Sequence, residues 1–570
     1  MTASPRPGRV APAWLPLLLV LLLAGYPLLR DLGGPLLWED EGDTAVFARN
    51  IARFGLPLAW DGRSFTDSDY GARVAPRLFG ADFVLVGTPW VPFYATAASF
   101  ALLGESTRNA RLPFALAGLA CVALLYLLVR RATGDPQAAL AGALLLPLSV
   151  QFLLYARECR HYALNMALTL ALLLAFLRLG ERRRDPMLVI VAVLLFYTQI
   201  LPLAAALAAC GGLTLLHPAF RSLRRPFWVR VPWIAALTAP WLPVSWTAFG
   251  ANWDLNLDPR VFVRALAQFS IELSTVAPLL GLVIGAFLLR RRLSARDRQW
   301  LALAGALFAS CAILAALTQT RARLTAVGLR YECGLLPVAA GAAGLLVARA
   351  SRGRPFAFAA GIALLGATHL AGNALPWLAV GESRALFGGW LSMNAPRELA
   401  DKLVNRLWWD FVSGLGVPNP GTASELAEFL RGRAEPGQVL VTNYSWDNLY
   451  FYTDLPQGMR LPPGAPLHEA ALAAGLPGYV VGLDGADWLV WRNAAEPILG
   501  KYPLDRVRSE LEARGARVEP LASFRETLWE NRPELAAHRF PRVGYPFAPA
   551  RLGAGGRHYP DAEVFRIHWR

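Results

Sequence analysis

The stretch Trp38-Glu39-Asp40-Glu41-Gly42-Asp43 sets four carboxylates within five residues, just after the first apolar run, Trp14 to Leu29. An aspartate with an ordinary pKa of about 3.9 is ionised at neutral pH and can take a proton from a hydroxyl. Two further segments carry the complementary charge: Tyr155-Ala156-Arg157-Glu158-Cys159-Arg160-His161-Tyr162, and Arg321, Arg323, Arg330 and Tyr331. A guanidinium stays charged and can hold two phosphate oxygens at once, which suits it to a phosphate near lipid headgroups. A carboxylate beside such arginines suits transfer of a group from a lipid phosphate to a hydroxyl. Blander readings are a solvated acidic loop, ordinary headgroup contact for Arg321 and Arg323, and simple ion pairing of Arg157 and Arg160 with Glu158.

The elements that must position these residues are those of a membrane protein. The 570 residues are 55% hydrophobic, with mean hydropathy +0.36 and 17% charge, too apolar for a soluble chain of this size. The net charge of +15 comes almost wholly from arginine, Lys402 and Lys501 being the lysines. In a polytopic protein such a total reflects basic cytoplasmic loops, so no nucleic acid is implied. Five cysteines lie in or beside apolar runs, and no disulfide framework or zinc spacing can be read from them; Cys159 and Cys333 read as small buried residues that could approach at one face.

After Asp43, a good helix N-cap, Phe47, Ile51 and Phe54 fall at helical spacing, with Arg49 and Arg53 off that stripe and Gly55 as the stop. The pattern predicts a helix of about three turns lying on a bilayer surface, with Asp40 and Glu41 just ahead of its N-terminus. Candidate spans are 13–29, 112–129, 137–154, 162–177, 187–197, 201–216, 231–249, 271–289, 299–318, 333–348 and 356–374, about eleven in all. Between 187 and 216 the break at Tyr197-Thr198-Gln199 predicts a tight helical hairpin. Loops at 130–136, 178–186, 217–230, 290–298 and 349–354 carry eighteen arginines, against nine in the alternate set, which puts the first set inside. The apolar run 83–103, with Pro89 and Pro92, is read as interfacial or re-entrant, because that keeps Arg6 and Arg9 inside and Asp40 outside, on the side of 156–161 and 319–332. The N-terminal run resembles a signal sequence but shows no small-x-small cleavage site, so it is read as an uncleaved span.

The fold class expected is therefore a polytopic α-helical membrane protein with interfacial helices, residues 1–380 with a first outer loop at 30–111, followed by an extracytoplasmic α/β domain at 381–570. In that domain Thr422 with Glu425 opens a helix through Leu430, and Val439–Val441, Tyr479–Val481 and Trp488–Trp491 read as strands. A helix runs from Leu504 to Arg514, and the loop 411–423 reads as a hinge.

Several motifs together resemble a family. Leu37-Trp38 then Asp40-Glu41 follow the first span, and Gly87-Thr88-Pro89 leads to Tyr94 and Gly104. Arg111-Leu112-Pro113 enters a span, Tyr155-Ala156-Arg157-Glu158 stands with Arg160 and Tyr162, and Arg330-Tyr331 leads to Leu336-Pro337. Over roughly residues 13–350 the chain resembles the GT-C class of glycosyltransferases that use polyprenyl-phosphate sugars, glycosyltransferase family 39, in the branch of the protein O-mannosyltransferases and aminoarabinose transferases. Val439 to Thr453 is similar to the outer domain of bacterial members. The resemblance implies a GT-C-like fold in a bacterial inner membrane and catalysis at the outer face. It implies an inverting transfer with Asp40, alone or with Glu41, as base, Glu158 orienting a substrate, and Arg157, Arg160, Arg321, Arg323, Arg330 and Tyr331 at the donor phosphate. Relatives carry His or Lys beside the proline where Gly87-Thr88 stands here, so that phosphate contact is either missing or moved to Arg73 or Arg77; Tyr162 is a further candidate. The partners implied are a polyprenyl-phosphate-linked sugar, membrane lipid, and a lipid, glycan or protein acceptor.

No nucleotide-sugar site is needed, since the donor is membrane-borne, and no Gly-rich phosphate loop is present; no cofactor is assigned, and a divalent metal stays open. A divalent metal has no support in the sequence, since the seven histidines do not cluster, and His468, His538, His558 and His568 read as surface or packing residues. The rivals are a lipid-linked sugar transporter and an inactive relative that binds a partner. Ion-coupled transport usually places charge mid-span, and only Glu272 and His369 approach that here. Tyr444, Trp446, Tyr450 and Tyr452 could stack on a sugar, although half-buried core aromatics are the more common case.

Overall fold

In the computed structural model the described residues are 15–59, 61–64, 66, 84–85, 88–181, 185–243, a few positions between 259 and 273, 279–318, 331–368, 406–416, 422–442, 446–456, 485–492, 504–524 and 562–570. Arg73, Arg77, Glu272, Arg321, Arg323, Arg330, His369, Tyr444 and the strand expected at 479–481 lie outside them.

The chain opens with α1 (Leu15–Leu29), α2 (Glu39–Phe54), α3 (Val91–Leu103), α4 (Thr107–Thr133), α5 (Pro136–Leu145), α6 (Val150–Arg157) and α7 (Tyr162–Arg178). There follow α8 (Met187–Phe196), α9 (Ile200–Leu216), α10 (Arg224–Trp228), α11 (Val231–Thr238), α12 (Leu279–Leu288), α13 (Ala295–Thr318), α14 (Leu335–Ser351) and α15 (Pro355–Ile362). Among the described residues α4 and α13 are long and apolar enough to cross a membrane, and two bent pairs pass together: Pro136–Leu148 with α6, at 73°, and α9 with Pro218–Trp228, at 111°. Shorter apolar helices follow the other expected spans, and α8 and α9 separate at 197–199 as the sequence predicts. The undecided run 83–103 contains α3, whose 13 residues rise about 20 Å, too little to cross about 30 Å of hydrocarbon alone.

The bundle is knit where side chains are smallest. α14 is buried on all its faces, and a Cβ on Gly344 would come within 2.3 Å of the Gly142 backbone nitrogen on α5. Two backbones in such contact leave room for no side chain, the small-residue packing that membrane helices use in place of a hydrophobic drive. At one end of the bundle Arg349 reaches Asp297 through two hydrogen bonds of 2.8 Å and also pairs with Asp135, which N-caps α5. Three of the loops counted as one face by their arginines therefore meet in space.

Helix α2 departs from expectation. It starts at Glu39, with Trp38 as N-cap, so Asp43 lies inside it and Asp40 and Glu41 occupy its first turn. Glu41 is what displaces the cap, since its Oε2 accepts from the Trp38 N–H at 3.2 Å. Phe47 and Ile51 do not face lipid; they pack with Phe93, Ala97, Phe100, Phe114, Tyr450 and Phe451, while Phe54 is exposed. Arg49, off the apolar stripe, is nevertheless buried.

The last third holds α16 (Arg406–Gly414), α17 (Thr422–Arg431), α18 (Trp446–Thr453), α19 (Leu504–Ala513) and a four-stranded sheet of β1 (Leu440–Thr442), β2 (Trp488–Arg492), β3 (Ala516–Phe524) and β4 (Ala562–Trp569), in the order β1-β2-β4-β3. β1 and β2 are parallel and the other pairs antiparallel, with β4 central beside β2 and β3. One face of the sheet packs on α19 through Val507 and Leu511, the other on α17 and α18 through Leu426, Leu430 and Leu449. β3 and β4 escaped the sequence reading: Pro520 interrupts the first beside a bulge, and Glu563, Arg566 and His568 dilute the second. Of the hinge expected at 411–423, residues 417–421 lie outside the described ones. Trp408 donates to the Pro147 carbonyl at 3.0 Å, Phe411 is buried in the main core, and the Gly416 N–H donates to Asp31 at 3.0 Å, so 406–416 is anchored to the first body of the protein.

Glu332, in the turn ahead of α14, is buried with one oxygen accepting from the Cys311 thiol at 3.3 Å and the other without a partner. Burial pushes its pKa from 4.5 up to about 8, against a smaller lowering by the Cys311 contact. The unfolded chain loses this proton near pH 4.5 and the folded one only near 8, so the group erodes stability as pH rises between the two. Glu332→Gln is expected to flatten that fall and to raise the melting temperature most at pH 8, read by thermal unfolding across pH 5–9. Gly344→Ala is expected to cost about 1–3 kcal/mol by overpacking, seen as a lower melting temperature in detergent. Gly305→Ala, on α13 with open space at its Cβ, should leave it nearly unchanged.

Candidate active site

The first turn of α2 meets Cys159 and Arg160, and the stretch that follows them, 161–165, meets Tyr331 ahead of α14. Successive helical residues point about 100° apart, so neighbouring acids take opposite fates. Glu41 turns inward and is fully buried; its Oε1 accepts from Arg111 Nε and the Cys159 N–H, both at 2.8 Å, and its Oε2 from Arg111 Nη2 at 2.6 Å. Arg111, itself 1% exposed, spends its other N–H groups on the carbonyls of Leu32, Pro35 and Leu36. The loop between α1 and α2 is thereby tied to the N-terminal half of α4. A carboxylate so occupied has no face open to a substrate.

Asp40 turns outward, with its side chain 25% exposed. Arg160 lies across it: Nη1 donates to the Asp40 carbonyl at 2.9 Å and to Thr44 Oγ1 at 3.2 Å, and Nη2 stands 3.6 Å from Asp40 Oδ2. Asp40 and Arg160 thus form a partly exposed acid and cation pair.

Arg157 is placed differently. Its Nη1 donates to the carbonyls of Pro27, Leu28 and Arg30 and its Nη2 to that of Asp31, with the side chain almost wholly buried against Phe411. This corrects the expectation that it holds a donor phosphate, because its terminal N–H groups are already taken up in closing the end of α1. Glu158, at the end of α6, is fully buried near Cys333, so it meets no substrate from solvent. Tyr162 is buried edge-on to Tyr155 at 4.9 Å, a packing position. His161 stacks on Tyr331 at 6.2 Å, and Asn165 Nδ2 donates to the Tyr331 carbonyl at 3.1 Å, which brings Tyr331, half-buried, to the same end as Asp40 and Arg160. Cys159 and Cys333 are buried free thiols, as the small-residue reading has it. Among the described residues no group of three His, Cys, Asp or Glu is arranged to hold a metal ion.

The cluster is closed on its other side by α18. Tyr452 Oη accepts from the Leu37 N–H at 2.9 Å and pairs with Thr107 at 2.8 Å, and Asn448 donates to the Leu37 carbonyl. Arg49 joins Glu105 at 2.7 Å, Asp454 at 2.9 Å and the Phe451 carbonyl at 2.8 Å, and Tyr450 donates to Asp61. Tyr450 and Tyr452 are therefore packing residues between the two parts of the chain. Sequence reasoning named Arg111 only as a motif residue; an arginine inside an apolar helix is itself a signal of a buried carboxylate partner.

Residues 87–246 match the family model of the dolichyl-phosphate-mannose-protein mannosyltransferases. No curated protein matches the chain by sequence. Among solved structures the chain is similar to ArnT from Cupriavidus metallidurans bound to undecaprenyl phosphate, at 16% identity and a TM-score of 0.53 over 98% of each chain. It is similar also to the apo state of that protein, at 15% identity and a TM-score of 0.53 over 96% of each. The resemblance read in the sequence therefore holds at the level of fold: the chain has a GT-C-like fold similar to that of ArnT, and residues 87–246 match the mannosyltransferase family model.

Proposed function

We propose that the protein is a membrane glycosyltransferase that moves a sugar from a polyprenyl phosphate to an acceptor hydroxyl, with inversion, at the outer face. The observation that carries this is the split between two adjacent acids: Glu41 is sealed in the Arg111 network, and Asp40 is left accessible beside Arg160. Asp40 takes the proton of the acceptor hydroxyl as its oxygen attacks the anomeric carbon; the bond from that carbon to the phosphate oxygen breaks, and the lipid phosphate leaves with the electron pair. Arg160 orients Asp40 and offers its charge to the departing phosphate. Arg321, Arg323 and Arg330, with Tyr331 at the site, are proposed to complete the phosphate cradle, and Arg73 or Arg77 to supplement it. The undecaprenyl phosphate bound by the similar ArnT structure supports a polyprenyl donor, since the fold is shared along the whole chain. A bacterial inner-membrane location, with residues 381–570 outside, fits the arginine distribution in the loops.

Asp40→Asn is expected to lower transfer from radiolabelled polyprenyl-phosphate sugars in proteoliposomes by about 10²–10⁴-fold, the usual worth of a general base, with protein level and melting temperature held. Transfer that survives in the variant, or sugar-lipid movement across the bilayer without transfer, would sink the assignment. Arg111→Met, by contrast, leaves Glu41 buried and unpaired and is expected to cost about 3–5 kcal/mol of stability. It should appear as lost monodisperse protein in detergent chromatography, whereas the double change Arg111→Met with Glu41→Leu should recover part of it.

A further inference from the structure

A second charged concavity lies at the other end of the bundle. Helix α7 begins at Tyr162 beside the candidate site and runs 17 residues, about 25 Å, before Phe176 packs on Phe220 and Phe227 at 6.0 and 5.7 Å. There the chain leaves α9, bends by 111° through Pro218–Leu223, and continues as α10. The bend encloses a cleft of about 490 Å³ lined by Leu215, Arg221, Ser222, Arg224, Arg225 and Trp228.

The floor of this cleft is built rather than incidental. Phe220, Leu223 and Phe227 are buried, Phe227 and Trp228 pack over Gly211, and Trp228 Nε1 donates to Thr214 Oγ1 at 3.2 Å. The backbone carrying the three guanidiniums is thus held before any ligand arrives. Yet among the described residues Arg221, Arg224 and Arg225 have neither an acidic partner nor a hydrogen-bond acceptor, although Arg230, five residues on, is engaged by the carbonyls of Asp185 and Pro226. No acid lines the cleft. Three cations gathered in a concavity repel one another unless an anion sits between them. The chain on either side of these arginines carries exposed apolar side chains: Leu216, 84% exposed, ahead of them and Val229, Trp233 and Leu237 after them. Charge at the edge of an apolar belt, with a tryptophan between, is the arrangement of the headgroup level of a bilayer.

We infer that this cleft binds a phosphate group through Arg221, Arg224 and Arg225, with Ser222 as a further donor and Trp228 and Leu215 against the adjoining apolar portion of the ligand. A membrane phospholipid or a soluble phosphate could supply the group, and the two are separable. The site is independent of the proposed glycosyl transfer, none of its residues approaching Asp40.

The test uses the full chain, delipidated in nonionic detergent, titrated with phosphatidylglycerol, with phosphatidylcholine or with inorganic phosphate. Binding is read from the melting temperature and from lipid retained in native mass spectrometry. The variant Arg221→Gln/Arg224→Gln/Arg225→Gln is compared with Arg290→Gln/Arg291→Gln/Arg292→Gln, which removes the same charge from exposed positions elsewhere. All three cleft side chains are exposed, so the fold should survive, and an unchanged melting temperature without ligand verifies it. The expected result is at least tenfold weaker phosphatidylglycerol binding in the cleft variant alone, with wild-type affinity falling as salt rises. Stabilisation by inorganic phosphate but not by lipid, again lost only in the cleft variant, would keep the phosphate site and assign it a soluble ligand. Equal losses in the two variants, or no loss in the cleft variant, would overturn the inference.

Discussion

The pairing of Arg111 with Glu41 is the constraint on which the site depends. Both side chains are removed from water, and an ion pair there repays its desolvation only when every remaining donor and acceptor is met. Here they are: the guanidinium bonds two carboxylate oxygens and three carbonyls, and the carboxylate also accepts from Trp38 and Cys159. One network thus joins α4, the loop after α1, the first turn of α2 and the segment after α6. Its contribution is geometric more than energetic. By fixing Glu41 inward, it fixes the rotation of α2 about its axis, and Asp40 can only point away from it.

A second set of bonds fixes the tilt of the same helix. Leu37, just ahead of α2, is held through both its N–H and its carbonyl by Tyr452 and Asn448 of α18, while Arg49, a little under three turns into the helix, meets Phe451 and Asp454. Gly42 faces the same helix, and a Cβ there would fall 1.9 Å from Asn448 Oδ1. The run Glu41-Gly42-Asp43 therefore answers to three demands at once: an ion pair, a close helix contact and a buried acid. Arg157 does for the end of α1 what Arg111 does for the loop beyond it, capping carbonyls that would otherwise face apolar surroundings.

Much of this was legible in the residues. Hydropathy placed most helices within a few positions, the 197–199 break was visible in three polar residues, and the helix at 504–513 was marked by its periodicity and its closing glycine. That Asp40 and Arg160 share one face could be read from charge and topology; that they pair could not. What could not be read was direction. Spacing alone does not say which of two adjacent acids turns inward, and Arg157 looks like a phosphate ligand until the carbonyls of 27–31 are seen around it. The buried state of Arg49 depends on Glu105 and Asp454, far away in the chain and beyond any local pattern. β4 was obscured for a related reason: its polar residues pair within the sheet, where Arg566 stacks on Trp488 and His568 meets Glu519, so alternation in the sequence understates its burial.

The reach of α18 back to Leu37 has a consequence for biosynthesis. The residues that clamp the proposed base helix are made some 400 positions after it, so during translation α2 is inserted with its rotation set by Arg111 and its far side still bare. Domains generally acquire structure from the N-terminus as they are synthesised. Contacts of such long sequence separation must therefore close last. A nascent or truncated chain would carry the membrane part without a finished site, and the geometry that makes Asp40 competent would arrive only with the completed protein.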